Sequence, residues 1–169
     1  TQVSCNAVPM YDFKADPNQP KPELYRELVD AARAIVEGEP DAVANMANLS
    51  ALIWQFLPQL NWAGFYRMVD GELVLGPFQG KAACIRIPLG QGVCGTAAAS
   101  GETQLVPDVH AFPGHIACDA ASASELVVPV KRAGQVIAVI DLDSPTLNRF
   151  DAEDAAGIEA LAAAIAESI

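Results

Sequence analysis

The sequence predicts an α+β domain: an antiparallel sheet with N- and C-terminal helices on one face and ligand-pocket loops on the other. Two observations carry this. Apolar residues recur at helical spacing near both ends of the chain, and between them runs of period two are joined by hairpin turns. A third observation places the pocket. A long connection without periodicity, Pro107 to Ser124, lies among the strands and holds both histidines, two prolines and Cys118.

Taken in order, residues 1–20 carry Pro9, Pro17 and Pro20 among polar residues and read as a loosely held arm, with Cys5 an incidental thiol. Residues 21–169 read as a single domain, long enough to bury a core without metal or disulfide support. Pro22 suits the first turn of a helix whose stripe is Leu24, Leu28, Ala31 and Ile35, stopped by Gly38. Asp41 can cap a second helix with the stripe Val43, Met46, Leu49, Ile53 and Phe56.

From Asn61 the period becomes two. Trp62, Gly64, Tyr66 and Met68 fall on one strand face, Ala63, Phe65 and Arg67 on the other. Asp70-Gly71 is a hairpin turn, and Cys84 is expected to open a further strand, C-I-R-I-P. The stretch G-Q-G-V-C-G-T leads into a short helix with Cys94 near its start; no G-K-[ST] follows, so tight packing explains its glycines better than a phosphate loop. Q-L-V-P is a short strand. E-L-V-V-P-V and Q-V-I-A-V-I-D-L-D form a hairpin about Ala133-Gly134, and the second strand puts Asp141 and Asp143 on one face. Asp151 and Asp154 resemble a helix-start box before the stripe Ile158, Leu161, Ile165.

Charge and composition exclude several classes. A net charge of -11 would not attract a nucleic acid or an anionic membrane, whereas the cationic end of a small ligand would be welcome. No apolar run is long enough to span a bilayer and the first residues lack a secretory pattern, so the cytoplasm is the expected location. Four irregularly spaced cysteines are too few for a disulfide scaffold.

The chemistry on offer is sulfur and carboxylate. Cys118, in the loop G-H-I-A-C-D, is a candidate nucleophile, and Cys84 or Cys94 could resolve a sulfenic acid formed on it. The three thiols with His110 or His115 could instead hold zinc, although no C-x-x-C half is present. Glu125, Asp141 and Asp143 lie in or beside apolar strands. Gathered and buried, they would raise at least one pKa, attract a ligand ammonium and keep one carboxyl protonated as a general acid. Trp62 and Tyr66 share a face and could wall an apolar slot.

The motifs N-W-A-G-F-Y, G-P-F-Q-G, C-I-R-I, G-x-G-V-C-G, V-x-x-F-P-G-H-I-A-C-D, S-x-S-E-L-V-V-P and I-A-V-I-D-L-D-S resemble those of the free methionine-(R)-sulfoxide reductases, a GAF-domain family. The resemblance implies that 21–169 is one GAF-like catalytic domain. It implies Cys118 as the catalytic thiolate, Cys84 as the main resolving cysteine with Cys94 a possible alternative, and thioredoxin as reductant. By the same resemblance Glu125, Asp141 and Asp143 bind the ammonium and polarise the sulfoxide oxygen, while Trp62 and Tyr66 hold the methyl end; Glu125 or Asp143 is our expected proton donor. It implies a homodimer and neither cofactor nor metal. The alternative is a GAF-type sensor that binds a small ligand without turnover.

Overall fold

The computed structural model describes residues 13–116 and 118–169. Cys5 and the greater part of the expected arm lie outside them. Within the arm's remainder, Phe13 and Ala15 are partly buried against the helical core. That part is tied down by its apolar side chains, whatever its proline content.

Helix α1 (Lys21–Val36) begins with Pro22 in its first turn, where the missing N–H has no partner to lose. Leu24, Tyr25, Leu28, Val29, Ala32 and Val36 turn inward, and Ile35 of the expected stripe is only half-buried. Helix α2 (Ala42–Phe56) is capped by Asp41, whose carboxylate accepts from the Ala44 N–H at 2.9 Å. Met46, Leu49, Ile53 and Phe56 face the core, but Val43 is 59% exposed. The inward place in that first turn goes to Asn45, whose amide donates to the carbonyls of Glu39 and Ser168.

Strands β1 (Trp62–Val69) and β2 (Glu72–Gly80) turn at Asp70 and Gly71, both at positive φ, as the hairpin demands. With β3 (Arg86–Pro88), β4 (Gln104–Val106), β5 (Ser124–Arg132) and β6 (Gln135–Ser144) they form a six-stranded sheet ordered β3-β2-β1-β6-β5-β4, each neighbouring pair antiparallel. Helix α3 (Gly92–Ser100) joins β3 to β4, and α4 (Ala152–Ile165) follows β6.

Alternation along the strands makes two cores. Ala63, Phe65, Leu126, Val128, Ile140 and Leu142 face α1, α2 and α4. Trp62, Tyr66, Val127 and Val139 face the other way, toward Val93, Cys94 and Ala97 of α3. The α+β expectation, with end helices on one face and the pocket connections on the other, holds.

The ends of the chain are locked together at Asp154, which is 1% exposed. It accepts from the Tyr25 hydroxyl and from Lys21 Nζ, both at 2.7 Å, and Arg149 lies 3.6 Å away. Asp154 also completes a capping box with Asp151. Beside it, a Cβ at Gly157 would run into the Tyr25 ring, so glycine is what lets α1 and α4 approach.

A strand expectation fails as well. Cys84 is not in a strand, because β3 begins only at Arg86 and pairs with β2 from Val74↔Arg86 to Glu72↔Pro88. Beyond Leu75, β2 runs into Pro77, which has no N–H to continue the ladder. The Cys84 carbonyl accepts from the Tyr66 hydroxyl at 2.9 Å instead.

Candidate active site

Strand register builds the floor of the pocket. Trp62 of β1 pairs with Asp143 of β6, and Asp143 pairs with Glu125 of β5, so the three stand in one row across adjacent strands. Asp141 stands two residues along on the same face. Cys94, in the first turn of α3, closes over them. Its Sγ lies 3.9 Å from Glu125 Oε1, and donor atoms of Cys94, Glu125 and Asp141 fall within 4.8 Å of one another.

Burial governs the charge here. Glu125 is 6% and Asp141 5% exposed. Burial, then the charges of Asp141 and Asp143, push Glu125 well above the usual carboxylate range. Burial, then Asp141 and Asp119, push Asp143 well above it too. Asp141 is raised by burial but held down by hydrogen bonds from Glu125 and Cys94, which favour its ionised form relative to its two neighbours. Its Oδ1 is buried with no hydrogen-bond partner. An unpaired buried carboxylate oxygen is costly, and a ligand N–H would satisfy it. Burial, then Asp141, Glu125 and Asp143, push the Cys94 thiol far up, so it stays protonated.

Aromatic rings make the wall. Trp62 stacks between Phe78, at 5.0 Å, and Tyr66, at 5.8 Å. Gly64 permits this, because a Cβ there would meet Phe78 Cβ and backbone. The Trp62 indole donates to the Lys81 carbonyl at 3.1 Å. Tyr66 does double service, lining the pocket and anchoring Cys84.

The mouth of the pocket is a disulfide. Cys84 and Cys118, 34 positions apart with Cα atoms 5.9 Å from each other, are bonded. Cys118 is exposed and Cys84 half-buried. With this bond in place the three-thiol zinc arrangement has one thiol left, Cys94. The pocket offers about 40 Å³ of space, room for a few waters. Breaking the bond frees the 107–124 connection from Cys84.

Every site residue expected from the sequence therefore lines or closes one pocket: Trp62, Tyr66, Cys84, Cys94, Cys118, Glu125, Asp141 and Asp143. His115 lines it as well, its pKa lowered by burial and then by His110; exposed His110 pairs with Asp108 instead. Sequence reasoning passed over Asn61, Lys81 and Asp119. Asn61 Nδ2 donates to Asp119 Oδ2 at 3.1 Å and to Ser122 Oγ at 3.0 Å, tying the Cys118 loop to the start of β1. The N-W pair at the head of β1 was the signal available for Asn61.

The fold and this pocket define a GAF domain carrying a thiol–disulfide pair above a buried acidic floor. Residues 23–169 match the GAF domain family. The chain is 52% identical to the free methionine-R-sulfoxide reductase of Escherichia coli, over 85% of this chain and 87% of that one, and 45% identical to the enzyme of the same name from Saccharomyces cerevisiae, over 89% and 88%. The X-ray structure of free methionine-R-sulfoxide reductase from Neisseria meningitidis in complex with its substrate superposes with a TM-score of 0.89 at 43% identity, covering 94% and 95% of the two chains. The chain belongs to the free methionine-R-sulfoxide reductase family of GAF domains. Among the described residues no helix is long and apolar enough to cross a membrane.

Proposed function

We propose that the chain reduces free methionine-(R)-sulfoxide to methionine by the chemistry of Cys118, Cys84 and the acidic floor. The observation that carries this reading is the Cys84–Cys118 disulfide at the mouth of a pocket whose floor holds the unpartnered Asp141 Oδ1. Asp141 takes the substrate's ammonium, and Trp62 and Tyr66 bound the slot for the methyl end. A free ammonium is the distinguishing feature. In a protein chain that nitrogen is an uncharged amide, which would leave Asp141 unpaired.

In the forward direction the Cys118 thiolate attacks the sulfoxide sulfur. A proton from Glu125 or Asp143, both kept neutral by burial, goes to the oxygen. The attack makes a transient S–S bond; as the protonated oxygen passes to the Cys118 sulfur, that bond and the methionine S–O bond both break, so methionine leaves and Cys118 is left as a sulfenic acid. The Cys84 thiol then attacks that sulfur, water departs and the disulfide forms. A dithiol of the thioredoxin type returns both electrons through a mixed disulfide. The protonated, buried Cys94 is a poor alternative resolver and serves the floor better as a hydrogen-bond donor. We take the working form to be a homodimer in the cytoplasm, the first to be checked by light scattering.

A thioredoxin-coupled assay following NADPH loss with free methionine sulfoxide tests the proposal. Oxidation of NADPH in step with methionine formation is expected. Saturable ligand binding with no thiol consumed would favour the sensor reading instead.

A further inference from the structure

The described residues that line the pocket carry four carboxyl side chains, Asp119, Glu125, Asp141 and Asp143, and one permanent cation, Lys81. His115 does not add a second at neutral pH, because burial and His110 lower its pKa. A zwitterionic amino acid needs both signs, and the floor supplies one alone. We propose that Lys81 is the carboxylate-binding residue of this pocket and that it makes the α-carboxylate, as well as the ammonium, a requirement for productive binding. This rests on the proposed activity.

The local structure places Lys81 for the task. At Gly80 the backbone takes φ +130°, and a Cβ there would meet Asn61 O at 2.7 Å and the Trp62 ring at 2.8 Å, so glycine is required where the chain leaves β2. The residue that follows is held at once: the Trp62 indole donates to the Lys81 carbonyl at 3.1 Å. The same ring walls the slot, so the backbone of Lys81 is fixed relative to the substrate's expected position. Its ammonium is exposed and makes no ion pair among the described residues. Its field reaches into the site all the same, since Lys81 helps lower the pKa of Asp119 in the Cys118 loop. A long side chain on a fixed backbone, charged and unpaired, can reach a ligand carboxylate at the rim while Asp141 takes the ammonium beneath.

The arrangement also separates the two charged groups on the ligand's Cα by sign. A carboxylate near the floor would be repelled by Asp141, whereas at the rim it meets Lys81. Exchanging the two groups is disfavoured twice, which fixes how the amino-acid end is seated.

The test pairs substitutions at Lys81 with free methionine sulfoxide and its methyl ester, which keeps the amine and neutralises the carboxylate. In wild type the ester should show kcat/KM lower by about tenfold, the scale of one charge-assisted contact. Lys81→Met should raise KM for the free amino acid by about the same factor, leave kcat within about twofold, and turn over acid and ester with similar kcat/KM; Lys81→Arg should restore most of the preference for the acid. A Lys81→Met variant that still prefers the acid as strongly as wild type would overturn the assignment while leaving the proposed activity standing. Wild type that reduces neither compound would overturn both. Unchanged thermal unfolding of both variants, expected for an exposed side chain, separates binding from folding.

Discussion

Glu125 and Asp143 face each other directly across the β5–β6 pair, and burial keeps both carboxyls protonated. Two ionised carboxylates in that register would repel. Because the folded pKa values lie above the unfolded values of about 4, the native state binds more protons than the unfolded chain between those limits. Stability contributed by these groups is full below about pH 4 and is lost as pH rises through the folded pKa values. Glu125→Gln removes one of the two. Denaturant unfolding across pH should show it more stable than wild type at neutral and higher pH, with a shallower fall, and its turnover should drop if Glu125 is the donor. Equal turnover in Glu125→Gln and Asp143→Asn, both at wild-type level, would rule out either as the acid.

Asp141 is the floor carboxyl whose ionised form the hydrogen bonds of Glu125 and Cys94 favour, and it has a buried oxygen without a partner. Asp141→Asn should raise KM for free methionine sulfoxide by about tenfold or more, by removing a charge-assisted contact to the ammonium. Steady-state kinetics would show it. The folded protein should be no less stable at neutral pH, because a desolvated charge has gone.

Cys84 and Cys94 separate by environment. Cys84→Ser should still form one methionine per reduced chain and then stop at the sulfenic acid, which a dimedone-type probe would trap. Cys94→Ser should still form the disulfide, with slower turnover because Glu125 has a changed donor at Sγ's place. If disulfide formation fails in Cys94→Ser and persists in Cys84→Ser, the assigned order of thiols is wrong.

At the other face, Asp154 joins α1 to α4 through Lys21, Tyr25 and the capping box. Asp154→Ala leaves the Tyr25 hydroxyl and Arg149 without their carboxylate. A loss of about 3 kcal/mol is expected, or roughly 6–12 °C in Tm for a chain of this size. Differential scanning calorimetry measures it, and reduction of methionine sulfoxide below the transition should be unaffected.

Much of this was legible in the sequence, for identifiable reasons. Period-two alternation placed Trp62 and Tyr66 on one face and Asp141 and Asp143 on another strand, and β1–β6 pairing then made those faces the same one. Asp41, Asp70-Gly71 and the Asp151/Asp154 box worked through local backbone chemistry and appear as expected. Tertiary choices were hidden. Cys84 left the strand because β2 runs into Pro77 and Tyr66 captures the Cys84 carbonyl. Val43 satisfied the helical period, but the inward place in that turn went to Asn45, whose amide has polar partners there. Phe13 and Ala15 found a core that proline spacing does not reveal. Lys81 matters through what it is near, and nothing in its own neighbourhood of sequence marks it.

The most direct measurement is a single turnover of fully reduced protein with free methionine-(R)-sulfoxide, followed by alkylation and peptide mapping. One methionine per chain is predicted, with Cys84 and Cys118 recovered as a linked peptide pair two hydrogens lighter and Cys94 alkylated as a free thiol. Methionine formed with Cys84 and Cys118 both still alkylatable, or no methionine formed at all, would contradict the assigned chemistry.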